Sequence, residues 1–174
     1  MPAAFYMLNI KTFLTLLIFF VLLQLASGQT QKIPCSAPES KQFDFWVGEW
    51  QATWKGGGGT NTVTKILNGC VIHEEFKASG EKPLIGLSNS VYNSNRKLWQ
   101  QTWVDNNGAY LDFTGNWEND KMILSRSIER EGQAISQRMV WYNITEDSFD
   151  WNWEGSKDGG KTWQVNWQIA YKRK

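Results

Sequence analysis

Tryptophan is the residue that most constrains this chain, which carries eleven of them among 174 residues. Several recur at even spacings, as Trp99 does with Trp103 and Trp151 with Trp153. Side chains at even spacings lie on the same face of a β-strand. The spacing therefore predicts strands with aromatic faces, and so much ring area predicts either a thick sheet interior or a cavity walled by rings.

The rest of the pattern predicts an all-β fold. About ten strand-like segments follow one another, at 49–55, 61–67, 71–77, 84–92, 98–104, 110–117, 122–129, 134–144, 148–154 and 162–171. Turn-forming residues separate them, among them four glycines at 56–59 that predict a flexible turn. Short connections favour a single antiparallel up-and-down barrel, lipocalin-like, because closure removes exposed strand edges. A two-sheet sandwich is the alternative.

The N-terminus predicts a signal peptide over residues 1–28. Lys11 supplies the positive charge, an apolar stretch occupies 13–25, and small residues follow at 26–28. The apolar stretch is shorter than the roughly 20 residues that a membrane span needs, although an uncleaved anchor is the alternative. The sequence thus predicts a secreted or periplasmic protein with an N-terminal arm at 29–42 and a barrel at 43–174. A short helical turn is expected at 43–46.

The two cysteines and the charge balance narrow the chemistry. Outside the cytosol, Cys35 and Cys70 are most simply explained as one disulfide, with two free thiols as the alternative. A single histidine disfavours a four-ligand zinc site, and no metal site is predicted. Removal of the predicted signal peptide with Lys11 leaves a formal net charge of zero, so the chain lacks the excess of positive charge that nucleic-acid binding favours. A small molecule is the expected partner, and no cofactor or oligomeric state is predicted.

The first predicted strand opens with Gly48, Glu49 and Trp50, which resembles the G-x-W signature of the lipocalin and fatty-acid-binding group, the calycins. The resemblance implies that Trp50 plugs one end of the barrel and that a basic residue of the last strand packs across it. Arg173 is the candidate, because a planar guanidinium stacks well on an indole.

Residues 156–163 (SKDGGKTW) match the Asp-box pattern that recurs on sialidase propeller blades. A propeller needs several blades of about 40–50 residues, and this chain is too short for one. The motif is therefore interpreted as a hairpin turn in which the aspartate accepts hydrogen bonds and a glycine supplies a positive φ.

His73 is the one histidine of the sequence, and Glu74 and Glu75 follow it directly. In a strand, His73 and Glu75 share one face and Glu74 lies on the other. His73 is thus a candidate haem ligand, or an acid or base acting with Glu74 or Glu75 in an enzyme. A structural or surface histidine is the plainer interpretation.

Polar residues placed among the rings suggest a binding site. The candidate ligand-binding residues are Trp99, Gln101, Trp103, Arg138 and Trp153. The rings would supply contact area, and Gln101 or Arg138 would orient a polar end of the ligand, with Arg138 suited to a carboxylate. Two alternatives stay open: the polar set faces solvent, or the domain is a protein-interaction module with a filled core.

Four segments together resemble an uncharacterised family of exported bacterial proteins: residues 43–50 (FDFWVGEW), 67–76 (LNGCVIHEEF), 100–105 (QQTWVD) and 154–163 (EGSKDGGKTW). The resemblance implies a calycin-like barrel and export, and it carries no activity. Small haem-binding barrels of the nitrobindin type are similar in fold, but no matching haem histidine can be assigned.

Overall fold

The computed structural model describes residues 34–174, so the predicted signal peptide and the first part of the arm lie outside the described residues. The described part is all-β, as predicted. Its strands are β1 (Gly48–Trp54), β2 (Gly57–Ile66), β3 (Val71–Ala78), β4 (Ile85–Asn93), β5 (Leu98–Asp105), β6 (Tyr110–Glu118), β7 (Lys121–Arg130), β8 (Gln133–Tyr142), β9 (Ser148–Ser156) and β10 (Gln164–Arg173).

These strands form one closed antiparallel barrel. Each pairs with the next along the chain, and β1 pairs with β10 through a register that sets Trp50 opposite Arg173. The order confirms the predicted up-and-down barrel of ten strands, whereas a sandwich would leave edges unpaired. This architecture is consistent with the calycin-like fold that the sequence implied.

Alternation along each strand separates the interior from the surface. On β3, Ile72, Glu74 and Phe76 are buried inside, and Glu75 between them is exposed. This is the two-residue period of a strand with one face on the core. The interior face of β3 therefore carries a carboxyl group between two apolar side chains.

The glycines at 56–59 are not a flexible turn, which corrects the prediction. Only residues 55–56 connect β1 to β2, because Gly57, Gly58 and Gly59 already pair with β1, and Gly59 pairs with β3 as well. A Cβ on Gly59 would lie 2.5 Å from the backbone oxygen of Lys77. Glycine is thus required there because two strand backbones approach closely.

The described part of the N-terminal arm contains regular structure, because Pro38–Lys41 forms a 3₁₀ turn. The predicted disulfide is confirmed, with Cys35 and Cys70 joined and their Cα atoms 5.3 Å apart. The bond ties this arm to the start of β3.

One end of the barrel, here named the plug end, is closed by the predicted helical turn. The turn is a 3₁₀ turn at Asp44–Trp46, and Trp46 is buried. Phe43 just before it is fully buried and meets the rings of Trp99 and Trp141 edge to face, with centroids 4.8 and 5.2 Å apart. Edge-to-face contacts of this kind lock the turn into the barrel mouth.

Arg173 and Trp50 complete the plug end. The guanidinium carbon lies 4.2 Å from the centre of the Trp50 ring, and Nη1 donates to the Val47 carbonyl over 3.1 Å. Gly48 has φ +144°, and a Cβ there would lie 2.2 Å from Nη1 of Arg173. The glycine of the G-x-W signature therefore leaves room for the stacked guanidinium.

Residues 156–163 form the turn between β9 and β10. Oδ1 of Asp158 accepts from the backbone N–H groups of Lys161 and Thr162, and Oδ2 accepts from Oγ1 of Thr162 over 2.6 Å. These donors hold the pKa of Asp158 well below its usual range. Because the turn uses Thr162, β10 begins at Gln164 rather than at the predicted residue 162.

Candidate ligand-binding cavity

The barrel contains a cavity of about 260 Å³, whose wall includes Trp46 of the plug end and Leu84 just before β4. Its wall consists of aromatic and aliphatic side chains with one carboxyl group: Trp46, Phe76, Leu84, Trp103, Leu111, Phe113, Met139, Trp141, Trp151, Trp153, Trp167, Ile169, Tyr171 and Glu74. The volume lies just below the roughly 300–1,000 Å³ of typical ligand pockets, and the apolar lining is typical of them.

The rings of the wall brace one another. Trp167 meets Trp151 at an interplanar angle of 89°, and Phe113 meets Trp153 at 83°. Trp103 packs over Gly86, where a Cβ would lie 2.0 Å from the indole. The absence of a side chain at residue 86 is therefore what lets this ring lie against the wall. Such mutual packing shapes the cavity before any guest enters.

Glu74 supplies the carboxyl group of the wall. Its Oε1 accepts from Nδ2 of Asn61 over 2.9 Å, and its Oε2 accepts from Oγ of Ser88 over 2.6 Å. Burial raises the pKa of Glu74 to about 7, although the hydrogen bonds from Ser88 and Asn61 and the charge of His73 act to lower it. Glu74 therefore changes its charge near neutral pH.

Tyr171 is the other ionisable residue of the cavity wall. Burial raises the pKa of its phenol well above the ordinary value, and the charge of Glu74 raises it further. Tyr171 therefore stays neutral wherever Glu74 titrates. Its ring stacks on Phe149 with centroids 4.5 Å apart, which fixes its position.

Four of the five predicted ligand-binding residues point into the barrel. Trp103 and Trp153 line the cavity. Trp99 is buried against the plug and donates from Nε1 to Oε1 of Gln42 over 3.1 Å. Gln101 is buried and donates to Oγ of Ser90 over 2.8 Å, so its amide is already engaged within the wall of the barrel.

The fifth, Arg138, lies on the outer face of β8. It alternates with Met139, which lines the cavity, and its Nε donates to Oε2 of Glu154 over 2.5 Å. Its guanidinium carbon also lies 4.0 Å from the centre of the Trp163 ring. Arg138 therefore cannot orient a ligand inside the cavity. The sequence contains the signal for this, because Arg138 directly precedes the apolar Met139 and adjacent residues of a strand lie on opposite faces.

His73 also lies on the outer face. Its Nδ1 is 2.9 Å from Oδ1 of Asn89, and its Nε2 is 3.5 Å from Oε1 of Glu75. Glu74 projects from the opposite face of the same strand into the cavity. His73 and Glu74 therefore do not form an acid–base pair, and His73 cannot ligate a haem held inside the barrel.

Sequence reasoning missed two charged groups of the interior. Glu74 was considered only as a partner of His73, although its phase with Ile72 and Phe76 places it inside. Arg126 follows Leu124 on the inner face of β7, with its guanidinium carbon 5.7 Å from the centre of the cavity-lining Phe113 ring. Its Nε and Nη1 are buried without a hydrogen-bond partner among the described residues.

Fold and site together define a closed ten-stranded antiparallel barrel with an aromatic interior cavity. Neither a protein-family model nor a curated protein matches the chain. Within residues 34–174, no helix is long and apolar enough to cross a membrane. The same residues contain no group of three or more His, Cys, Asp or Glu side chains that could hold a metal ion.

Proposed function

We propose that this protein binds a small, largely apolar or aromatic molecule inside its barrel. The observation that carries the proposal is the interior cavity of about 260 Å³, whose wall is made almost entirely of rings and aliphatic side chains. A protein-interaction module with a filled core would have no such space, because interiors are otherwise packed with few voids larger than a water molecule.

The composition of the wall supports an aromatic guest. Indole and phenyl rings offer large contact areas and favour edge-to-face or offset contacts with another ring. The rings are already held by their neighbours, as Trp167 is by Trp54 and Trp151 at centroid distances of 5.2 and 5.8 Å. Binding therefore requires little ordering of side chains, which favours affinity.

Titration calorimetry with 2-phenylethanol tests this proposal. Leu84 lines the cavity from the connection that precedes β4, so Leu84→Trp should fill part of the cavity and abolish the binding heat. Ile85→Trp is the matched control, because that neighbouring side chain is 40% exposed outside the cavity. Failure of the wild-type protein to bind this probe and other small neutral aromatics would refute the proposal.

We further propose that the barrel is exported, as the resemblance to an exported bacterial family implies. The Cys35–Cys70 disulfide supports this, since such bonds persist in oxidising compartments. The signal peptide proposed at residues 1–28 gives the test. Mass spectrometry of protein from the extracellular or periplasmic fraction should find a chain that begins at Gln29, and an intact N-terminus would contradict it.

A further inference from the structure

We propose that the cavity selects a small organic cation, a protonated arylalkylamine or an aryl-bearing quaternary ammonium, whose positive nitrogen lies between the Glu74 carboxylate and the surrounding rings. This inference rests on the proposed function and adds the chemical class of the guest. It also differs from the sequence-based expectation of a carboxylate-bearing ligand, because the charged group in the wall is an acid and not Arg138.

The first argument is the placement of charge. Among the cavity-lining residues, only Glu74 and Tyr171 ionise, and Tyr171 stays neutral. Asn61 and Ser88 each donate one hydrogen bond to Glu74, one to each oxygen. A carboxylate has about four acceptor positions. Glu74 is thus held in a fixed orientation and keeps acceptor capacity for a donor that enters the cavity.

The second argument is the nature of the surrounding wall. Phe76 lies two residues from Glu74 on the same strand face, and Trp103 and Trp167 lie within 6.2 Å of Phe76, centroid to centroid. The face of an aromatic ring carries negative potential and attracts a cation. A carboxylate beside several aromatic rings therefore offsets part of the free energy that an ammonium group loses when it leaves water.

Buried donors without partners argue for an anion or another acceptor instead. Among the described residues these donors are Nε and Nη1 of Arg126, on the inner face beside Phe113, and Nε1 of Trp46 and of Trp141 in the cavity wall. The two indole groups carry no charge, however, and Arg126 is not among the cavity-lining residues, whereas Glu74 is. A guest in the cavity therefore meets the carboxyl group directly, and an anionic probe becomes the critical comparison.

The surroundings of Glu74 also predict how binding depends on pH. Asn61 of β2, Ser88 of β4 and Tyr171 of β10 face it, and His73 lies on the outer face of the same strand. None of these supplies a permanent positive charge inside. Because burial raises the pKa of Glu74 to about 7, a cation must displace its proton below that pH. The affinity for a cation should therefore rise with pH.

The test compares three probes of similar shape by calorimetry at pH 8: 2-phenylethylamine, 2-phenylethanol and 3-phenylpropanoate. The amine should bind roughly 10- to 100-fold more tightly than the alcohol, as expected for a charge-assisted hydrogen bond. Glu74→Gln should remove this preference while the alcohol still binds. Glu75→Gln makes the same change on the exposed face and should leave the preference intact.

A second measurement needs no variant. Benzyltrimethylammonium keeps its charge at all pH values, so its affinity for the wild-type protein should fall about tenfold for each pH unit below the pKa of Glu74. A flat profile would overturn the inference, as would tightest binding of 3-phenylpropanoate or an amine preference that survives Glu74→Gln. Absence of binding by all probes, the alcohol included, would instead refute the proposed function itself.

Discussion

Replacing Glu74 by glutamine should stabilise the protein at alkaline pH, although the residue is buried and hydrogen-bonded. Glutamine keeps the shape of the side chain and removes its ionisation. Its oxygen can accept from Asn61 as Oε1 of Glu74 does, and its amide can donate to Ser88, whose hydroxyl rotates to accept. No buried polar group is then left without a partner.

The magnitude follows from proton linkage. The pKa of Glu74 is about 7 in the folded protein against an ordinary value of 4.5, so the folded state binds the proton more tightly than the unfolded chain does. The free energy of unfolding therefore decreases as pH rises from 4.5 to about 7, and it stays lower above that range. At about 1.4 kcal/mol for each pH unit, the loss is about 3 kcal/mol.

Urea unfolding of the wild type and of Glu74→Gln at a series of pH values from 4.5 to 8 checks this reasoning. The two should be similarly stable at the acidic end, and the variant should be more stable by about 3 kcal/mol at pH 8. Titrations of other residues occur in both proteins and cancel in the difference. Glu75→Gln makes the same change on the exposed face of β3 and is the control. A difference between the wild type and Glu74→Gln that does not change with pH would refute the linkage.

Three further changes test other parts of the molecule. Arg173→Lys removes the planar group at the plug end and should lower the free energy of unfolding by about 1–3 kcal/mol, measured by urea unfolding. Cys35→Ser with Cys70→Ser opens a bond between residues 35 apart in sequence. By loop entropy it should lower that free energy by about 3–4 kcal/mol, and reduction of the wild type should match it. Gly86→Ala places a methyl group against Trp103 and should weaken calorimetric binding of 2-phenylethanol, so unchanged affinity would show that this ring does not shape the cavity.

The barrel could be predicted from local signals, because apolar and polar residues alternate along each strand and turn-forming residues separate the strands. Closure followed from sequential strands with short connections. The glycines at 57–59 were misassigned because glycine has the same sequence signal in a turn and in a crowded strand. At Gly59, the neighbouring backbone of Lys77 and Ala78, which comes from a different part of the chain, distinguishes the two.

The cavity could be predicted only in part. Alternation identified Trp103 and Trp153 as interior rings. The volume of the cavity between such rings depends on how opposite walls of the barrel pack, which the sequence does not show. Arg138 was assigned to the ligand because it is a suitable chemical group, although its phase opposite to Met139 indicates the outer face. The choice of Arg138 thus followed its chemistry, whereas strand phase places Glu74, and not Arg138, on the inner face of the barrel.

The hydrogen-bond partners of Glu74 do not require a carboxyl group at this position. Asn61 and Ser88 satisfy its oxygens, but glutamine would satisfy the same partners without the loss of stability that ionisation brings. Strongly perturbed acids inside cavities are characteristic of functional sites, where stability is exchanged for chemistry. A cation at Glu74 would reverse that loss, because it binds the folded state and stabilises the ionised carboxylate. The same carboxyl group would thus destabilise the empty barrel and stabilise a barrel that holds a cation.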